Sequence, residues 1–316
     1  MMDVLEKSAA IIADAGVIMP SVLDQEIGQD FASAIAGVTR DFVDMAAHYD
    51  PETGTLWCSM IGTGLPSFTP QMIGEMQEII DVAKAFGQHT GAEPLKFLVL
   101  SSARKGVFNL GGNLEVLSDK IRRNDVEGLR AYARRSCDLI HAMWTSLDMP
   151  CVTISVVAGD ALGGGLESAR SCNLLIAERG TKLGLPEAIF GLFPGMGAFS
   201  LLSRHLNGAL AYNMMLKGDI FTAEQLHDMG LVDELVDPGT SMDYVRDLVR
   251  KASARDHFFR CSINDVRRRV TPLTIQELYD VTDLWAHSAI RLTEADLKRM
   301  ERLRGIQTKR FLSLQD

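Results

Sequence analysis

Short apolar runs punctuate the chain, and between them the apolar positions recur every three or four residues. Thr55 to Ile61 reads as a strand that follows the turn signal Asp50-Pro51-Glu52-Thr53-Gly54. Pro70 to about Phe86 is amphipathic at helical spacing. Leu95 to Ser101 (LKFLVLS) is mostly apolar without alternation, as in a strand buried on both faces. A loop over 107–113 leads into a helical pattern from Leu114 to Leu147, where Leu129, Tyr132, Ala133, Ile140, Met143, Trp144 and Leu147 fall at helical spacing. Cys151 to Val157 (CVTISVV) is another buried strand that runs into glycine, and Asn173 to Ala177 and Val232 to Val236 complete the set. Strands alternating with helices predict right-handed parallel crossovers and an α/β fold. From Pro238 to Leu314 strand signals vanish and helical patterns take over; the stretch Ile275 to Ile290 has an apolar face that needs a partner surface. The first 40 residues are predicted to be partly helical, and no short repeat points to a solenoid.

Composition narrows the class. A chain of 316 residues, 47% hydrophobic, can bury a core without disulfide or metal staples. A net charge of −9 argues against general nucleic-acid binding. The cysteines (Cys58, Cys137, Cys151, Cys172, Cys261) lack C-x-x-C spacing and read as buried thiols, and the histidines show no metal spacing. The apolar run Ala9 to Ile18 is interrupted by Asp14 and preceded by Asp3 and Glu6, so neither a secretory signal nor a membrane span is expected, and the cytoplasm is the expected location.

Candidate chemistry concentrates in two loops. Strands ending near Ser101 and Val157 each run into bare backbone, Gly111-Gly112 in one case and Gly163-Gly164-Gly165 in the other, and each loop leads into a helix. Glycine permits close backbone approach, and the first N–H groups of a helix lack internal partners, so two such loops can aim donors at one developing oxyanion. Neither loop has the Lys-Ser/Thr ending of a P-loop or a full dinucleotide fingerprint. Glu167 falls on the first turn after the second loop, and Glu187 is flanked by Leu185-Pro186 and Ala188-Ile189-Phe190, which would resist its ionisation. Alone, each feature reads as a tight turn, a helix cap or a solvated carboxylate; together they supply an acid, a base and an oxyanion site, the parts that water addition or elimination needs. No nucleophile elbow for a serine triad is present.

Three segments carry a resemblance. Phe108-Asn109-Leu110-Gly111-Gly112-Asn113-Leu114, Ala161-Leu162-Gly163-Gly164-Gly165-Leu166-Glu167, and Leu185-Pro186-Glu187 followed by Gly191-Leu192-Phe193-Pro194-Gly195 resemble the crotonase (enoyl-CoA hydratase/isomerase) superfamily. The resemblance implies a ClpP/crotonase-like ββα spiral core over 1–240, including an N-terminal extension. It also implies a helical C-terminal region over 241–316 that serves oligomerisation and covers the active site. It assigns Glu167 and Glu187 as catalytic carboxylates and the N–H groups of Gly112 and Gly164 as the oxyanion hole. No cofactor is implied beyond an acyl group presented on acyl carrier protein or coenzyme A. Having both glutamates resembles the hydratases, while Asn113 stands where the family usually has Asp. Leu110, Met143, Trp144, Phe190, Leu192 and Trp285 are candidates for an apolar acyl slot. Two basic clusters could dock an anionic carrier: Arg122-Arg123 with Arg130, Arg134 and Arg135, and Arg250, Lys251, Arg255, Arg260 with Arg267-Arg268-Arg269. Each also reads as a solvated helix face.

In length, N-terminal extension and the sequence of Leu147 to Glu187, the chain most resembles the diffusible signal factor synthases of bacterial quorum sensing. That narrower resemblance implies a lyase with thioesterase activity, which dehydrates 3-hydroxyacyl thioesters to cis-2-enoyl thioesters and then releases the free acid. It further implies a homotrimer or hexamer and a regulatory sensor kinase as partner. A conventional enoyl-CoA hydratase of fatty-acid metabolism is the alternative, and a non-catalytic scaffold would not need both glutamates and both glycine loops.

Overall fold

The structure, a computed structural model, describes residues 30–90 and 95–315. Residues 30–38 are helical; the remainder of the helical expectation for the N-terminus lies outside the described residues. β1 (Met45–Asp50) and β2 (Thr55–Met60) form an antiparallel hairpin across the predicted turn, where Asp50 accepts from Glu52 N and Thr53 Oγ1 and Gly54 takes φ +67. α1 (Pro70–Thr90) then crosses to β3 (Phe97–Ser102), and short β4 (Val107–Asn109) precedes α2 (Leu114–Arg122) and α3 (Val126–Trp144). The long helix expected from Leu114 to Leu147 is thus two helices. Asn124 takes φ +53, which asparagine tolerates better than most residues, and Asp125 caps the second helix by accepting from Gly128 N at 2.8 Å.

β5 (Val152–Val157) and β6 (Asp160–Leu162) lead into α4 (Gly164–Ser171), and β7 (Leu174–Glu178) is followed by β8 (Lys182–Gly184). The chain continues through α5 (Ala198–His205), α6 (Gly208–Lys217), β9 (Ile220–Thr222), α7 (Ala223–Asp228) and β10 (Glu234–Val236). The remaining helices are α8 (Ser241–Lys251), α9 (Ala254–Val270), α10 (Ile275–Ala289) and α11 (Glu294–Gln315). The larger sheet runs β1-β2-β3-β5-β7-β10, parallel from β2 onward, and a smaller one runs β4-β6-β8-β9. The pairs β3-β4, β5-β6 and β7-β8 each give one strand to each sheet, the turns of a ββα spiral. The three-residue strands of the smaller sheet carry too little pattern to be read from sequence.

β5 is buried along its whole length because both faces of the larger sheet are covered. On one face Phe97, Val99, Val152, Ile154 and Val156 meet Val245 and Val249 of α8 and Cys261 of α9. The other face holds the main core, into which α10 and α11 send Leu278, Trp285, Leu297 and Met300. Helices α8 to α11 thus contribute to both hydrophobic clusters together with the preceding chain. Helix α4 is tied to the sheet by Ser155 Oγ, which donates to Ala169 O at 2.7 Å.

Candidate active site

The smaller sheet brings the two glycine loops together. β4 and β6 pair in parallel, Asn109 opposite Ala161, so the loops leaving their C-terminal ends are neighbours. A Cβ built on Gly111 would lie 2.8 Å from Gly164 N, and one on Gly165 would lie 2.0 Å from Asn109 O, so neither position has room for a side chain. β6 also pairs with β8, which sets Glu187 beside Gly163; a Cβ there would meet Glu187 Oε1 at 2.4 Å. Gly163 takes φ 55, ψ −128, a backbone conformation open essentially to glycine. Among the described residues, neither Gly112 N–H nor Gly164 N–H has a protein acceptor.

Glu167 is 3% exposed, and its Oε1 accepts from Met196 N at 2.9 Å and Ala198 N at 2.8 Å. Burial pushes its carboxyl up to about 7 against the pull of those two donors. Glu187 keeps part of its surface in solvent, but its Oε2 is buried and has no hydrogen-bond partner. Burial first, and the Glu167 charge second, push the Glu187 carboxyl up to about 8. The pair therefore holds a proton at neutral pH. Glu187 is the member that keeps it, since Glu167 has two N–H groups to stabilise its charge and Glu187 has an orphaned oxygen.

Both carboxylates face a cavity of about 50 Å³, lined also by Gly112, Gly163, Gly164, Leu110, Phe190, Leu192 and Trp285. Four of the six residues expected for an acyl slot line this cavity. Met143 and Trp144 are not. Met143 faces a separate small void with Met45, Met76 and Leu100, and Trp144 is fully buried, with Arg267 over its ring and His205 against its edge. Helical spacing puts both on the buried face of α3 without saying that α4 and α10 lie elsewhere along it. The cavity wall also includes Leu114, Leu117, Tyr132, Ala133, Pro186, Met196, Leu303 and Gln307, which sequence reading missed. Leu303 and Gln307 come from α11 and lie far along the chain from every motif, so only proximity to the motifs could have flagged Leu114, Pro186 and Met196. Asn113, in place of the expected Asp, caps α2 by accepting from Val116 N at 3.0 Å, a role the two residues share.

The first basic cluster is largely spent on internal ion pairs. Arg122 meets Glu294 and Glu301, Arg130 meets Glu127 and Asp283, and Arg134 meets Asp283, so these arginines tie α2 and α3 to α10 and α11. In the second cluster Arg250 and Lys251 pair with Asp247, Arg268 pairs with Asp265, and Arg267 is half-buried over Trp144. A larger hollow of about 410 Å³ lies between the sheet and α9; its one carboxylate, Asp256, is engaged by Ser253 at the start of that helix. All five cysteines are buried, and none of them is in a disulfide bond. Among the described residues no His/Cys/Asp/Glu group could hold a metal, and no helix is long and apolar enough to cross a membrane.

The family profile for enoyl-CoA hydratase/isomerase matches residues 67–289. Enoyl-CoA hydratase domain-containing protein 2, mitochondrial, of Mus musculus is 33% identical over 158 residues, 50% of this chain and 51% of that protein, so the match spans about half of the relative. An enoyl-CoA hydratase/isomerase from Xanthobacter autotrophicus Py2 superposes with a TM-score of 0.69 at 19% identity, over 87% of this chain and 98% of that one. Pseudomonas aeruginosa DspI superposes with a TM-score of 0.63 at 23% identity, over 74% and 90% of the two chains. At such identities these two structures speak for the fold alone.

Proposed function

The chain belongs to the enoyl-CoA hydratase/isomerase family and has the crotonase fold; from that premise we propose that its cavity eliminates water from 3-hydroxyacyl thioesters and then hydrolyses the enoyl thioester to a free 2-unsaturated acid. The observation that carries the reading is the pair Glu167 and Glu187 facing one cavity beside two unengaged N–H donors. In elimination one carboxyl takes the α-proton, the electron pair forms the Cα–Cβ double bond, and the other carboxyl protonates the departing 3-hydroxyl as water. The negative charge that builds on the thioester oxygen is met by Gly112 and Gly164 N–H. Hydrolysis would place a tetrahedral oxyanion on the same oxygen: water attacks the carbonyl carbon, the C–S bond breaks, and the sulfur leaves as thiol. One hole thus serves both steps. The acyl group would arrive on acyl carrier protein or coenzyme A, with no further cofactor.

Support for release of a free acid, and for its cis geometry, rests on the sequence resemblance of Leu147 to Glu187 to the signal synthases. The cavity holds only a few water molecules at about 50 Å³. A thioester therefore enters by displacing lining side chains, among which Trp285, Leu303 and Gln307 belong to the C-terminal helices. Incubation with 3-hydroxyacyl carrier protein and, separately, with crotonyl-CoA, followed by mass spectrometry and gas chromatography of the acid, tests the reading. Enoyl thioester followed by free cis-2-enoic acid is expected from the carrier substrate. Rapid hydration of crotonyl-CoA with no acid released from either substrate would instead make the protein a conventional hydratase.

A further inference from the structure

A backbone N–H is aimed by whatever holds the carbonyl of the same peptide, because the two groups point in opposite directions from one plane. The Gly112 N–H belongs to the peptide whose carbonyl is Gly111 O, and that oxygen accepts from Phe68 N at 2.8 Å. Gly111 sits at φ +89, and its own N–H is taken by Asn109 Oδ1 at 2.7 Å. Phe68 is held in turn. Its carbonyl accepts from Tyr132 Oη at 2.6 Å, and the same hydroxyl accepts from Asn113 N at 3.0 Å, on the other side of Gly112. A Cβ built on Gly112 would lie 3.7 Å from that hydroxyl, so the bridge runs directly beside the donor.

We infer that Tyr132 is a positioning residue for the oxyanion hole: its hydroxyl, bonded to the Phe68 carbonyl and the Asn113 N–H, holds the Gly111–Gly112 peptide so that the Gly112 N–H points into the cavity. The inference rests on the reading of Gly112 and Gly164 as oxyanion donors. Tyr132 stands on α3 at 8% exposure, and its phenol is pushed up to about 12 by burial, so it stays protonated and able to donate. Phenylalanine would fill the same space. It would remove the partner shared by the buried Phe68 carbonyl and the half-buried Asn113 N–H, and so loosen the segment over 66–68, which Leu110 N to Pro66 O and the Phe68–Gly112 bridge alone would then tie to the loop.

Carbonyl polarisation reads this directly. A 2,4-dienoyl-CoA absorbs further to the red when its thioester oxygen is hydrogen-bonded, and the shift at saturation does not depend on affinity. Wild type is expected to red-shift the probe, and Tyr132→Phe to lose much of that shift. The same variant should lower kcat about tenfold, with KM nearly unchanged, in hydration and hydrolysis alike. Spectra are recorded below the melting temperature of each variant. Leu139→Ala, buried on the same helix outside the cavity wall, is the control: it should melt earlier while keeping the shift. If wild type shifts the probe and Tyr132→Phe shifts it as much, the hydroxyl only packs and the inference is overturned. A wild type that gives no shift overturns the oxyanion reading itself, and the inference with it.

Discussion

Helix α4 buries two charged residues one turn apart and treats them in opposite ways. Arg170, with no exposed surface, donates from Nη1 to Leu231 O and Asp233 Oδ2, both at 2.7 Å, and from Nη2 to Cys172 O at 3.0 Å; only its Nε lacks a partner. Glu167 faces a cavity in which its neighbouring carboxylate has an oxygen with no partner at all. The first environment compensates its charge with fixed acceptors, so removing the charge should cost structure. The second leaves its charge under-compensated, which raises the pKa of both glutamates and stores a proton where one is needed. The same eight residues thus carry a structural anchor on one side and reaction chemistry on the other.

The sharpest break of that comparison is in turnover. Glu167→Gln and Glu187→Gln should each lower kcat by ~10² to 10⁴-fold, with circular dichroism unchanged. Near-normal turnover by either variant would remove the two-carboxylate mechanism, and unfolding of Glu167→Gln would erase the contrast with Arg170. Next in size is Arg170→Met, which removes the cation beside Asp233 and a donor from the three buried carbonyls of Leu231, Cys172 and Asn173. A loss of about 1 to 3 kcal/mol in denaturant unfolding is expected from the orphaned carbonyls, whereas a variant of wild-type stability would show that the arginine anchors nothing.

The smallest effect is a pH dependence of stability. At low pH both glutamates are protonated whether the chain is folded or not. As pH rises, the unfolded chain ionises them in the ordinary glutamate range, while the folded chain holds its protons up to about 7 and about 8. The folded state therefore loses stability across that window. Glu187→Gln should melt a few degrees above wild type at alkaline pH, and the gain should vanish below the ordinary glutamate range, as followed by thermal melts across pH. A gain of equal size at every pH would trace the effect to packing instead of charge.

Much of this was legible in the chain. The strands β2, β3, β5 and β7 announced themselves as short, mostly apolar runs, because strands covered on both faces carry few charged residues to dilute the signal. Glu167 and Glu187 were legible for a different reason: each stands beside glycines or apolar residues that make sense only if backbone or substrate must come close. The break at Asn124 and Asp125 was missed, although an Asp three residues before Gly128 is a capping signal, because the apolar positions on both sides keep helical phase. Met143 and Trp144 were misplaced because periodicity says that a face is buried and not what it is buried against.

The sequence by itself determined β2, β3, β5, β7 and β10, the helical character of α1 and of the C-terminal region, which glycines must stay bare and which carboxylates stand among apolar neighbours, since all of these follow from local sterics and hydrophobic pattern. Tertiary structure decided the rest. The parallel pairing of β4, β6 and β8 set Gly112, Gly164 and Glu187 around one cavity, and α10 and α11 returned Trp285, Leu303 and Gln307 to close it. Three-residue strands and late helices carry no local mark of where they dock, because their positions are fixed by pairing and burial with residues distant in the chain.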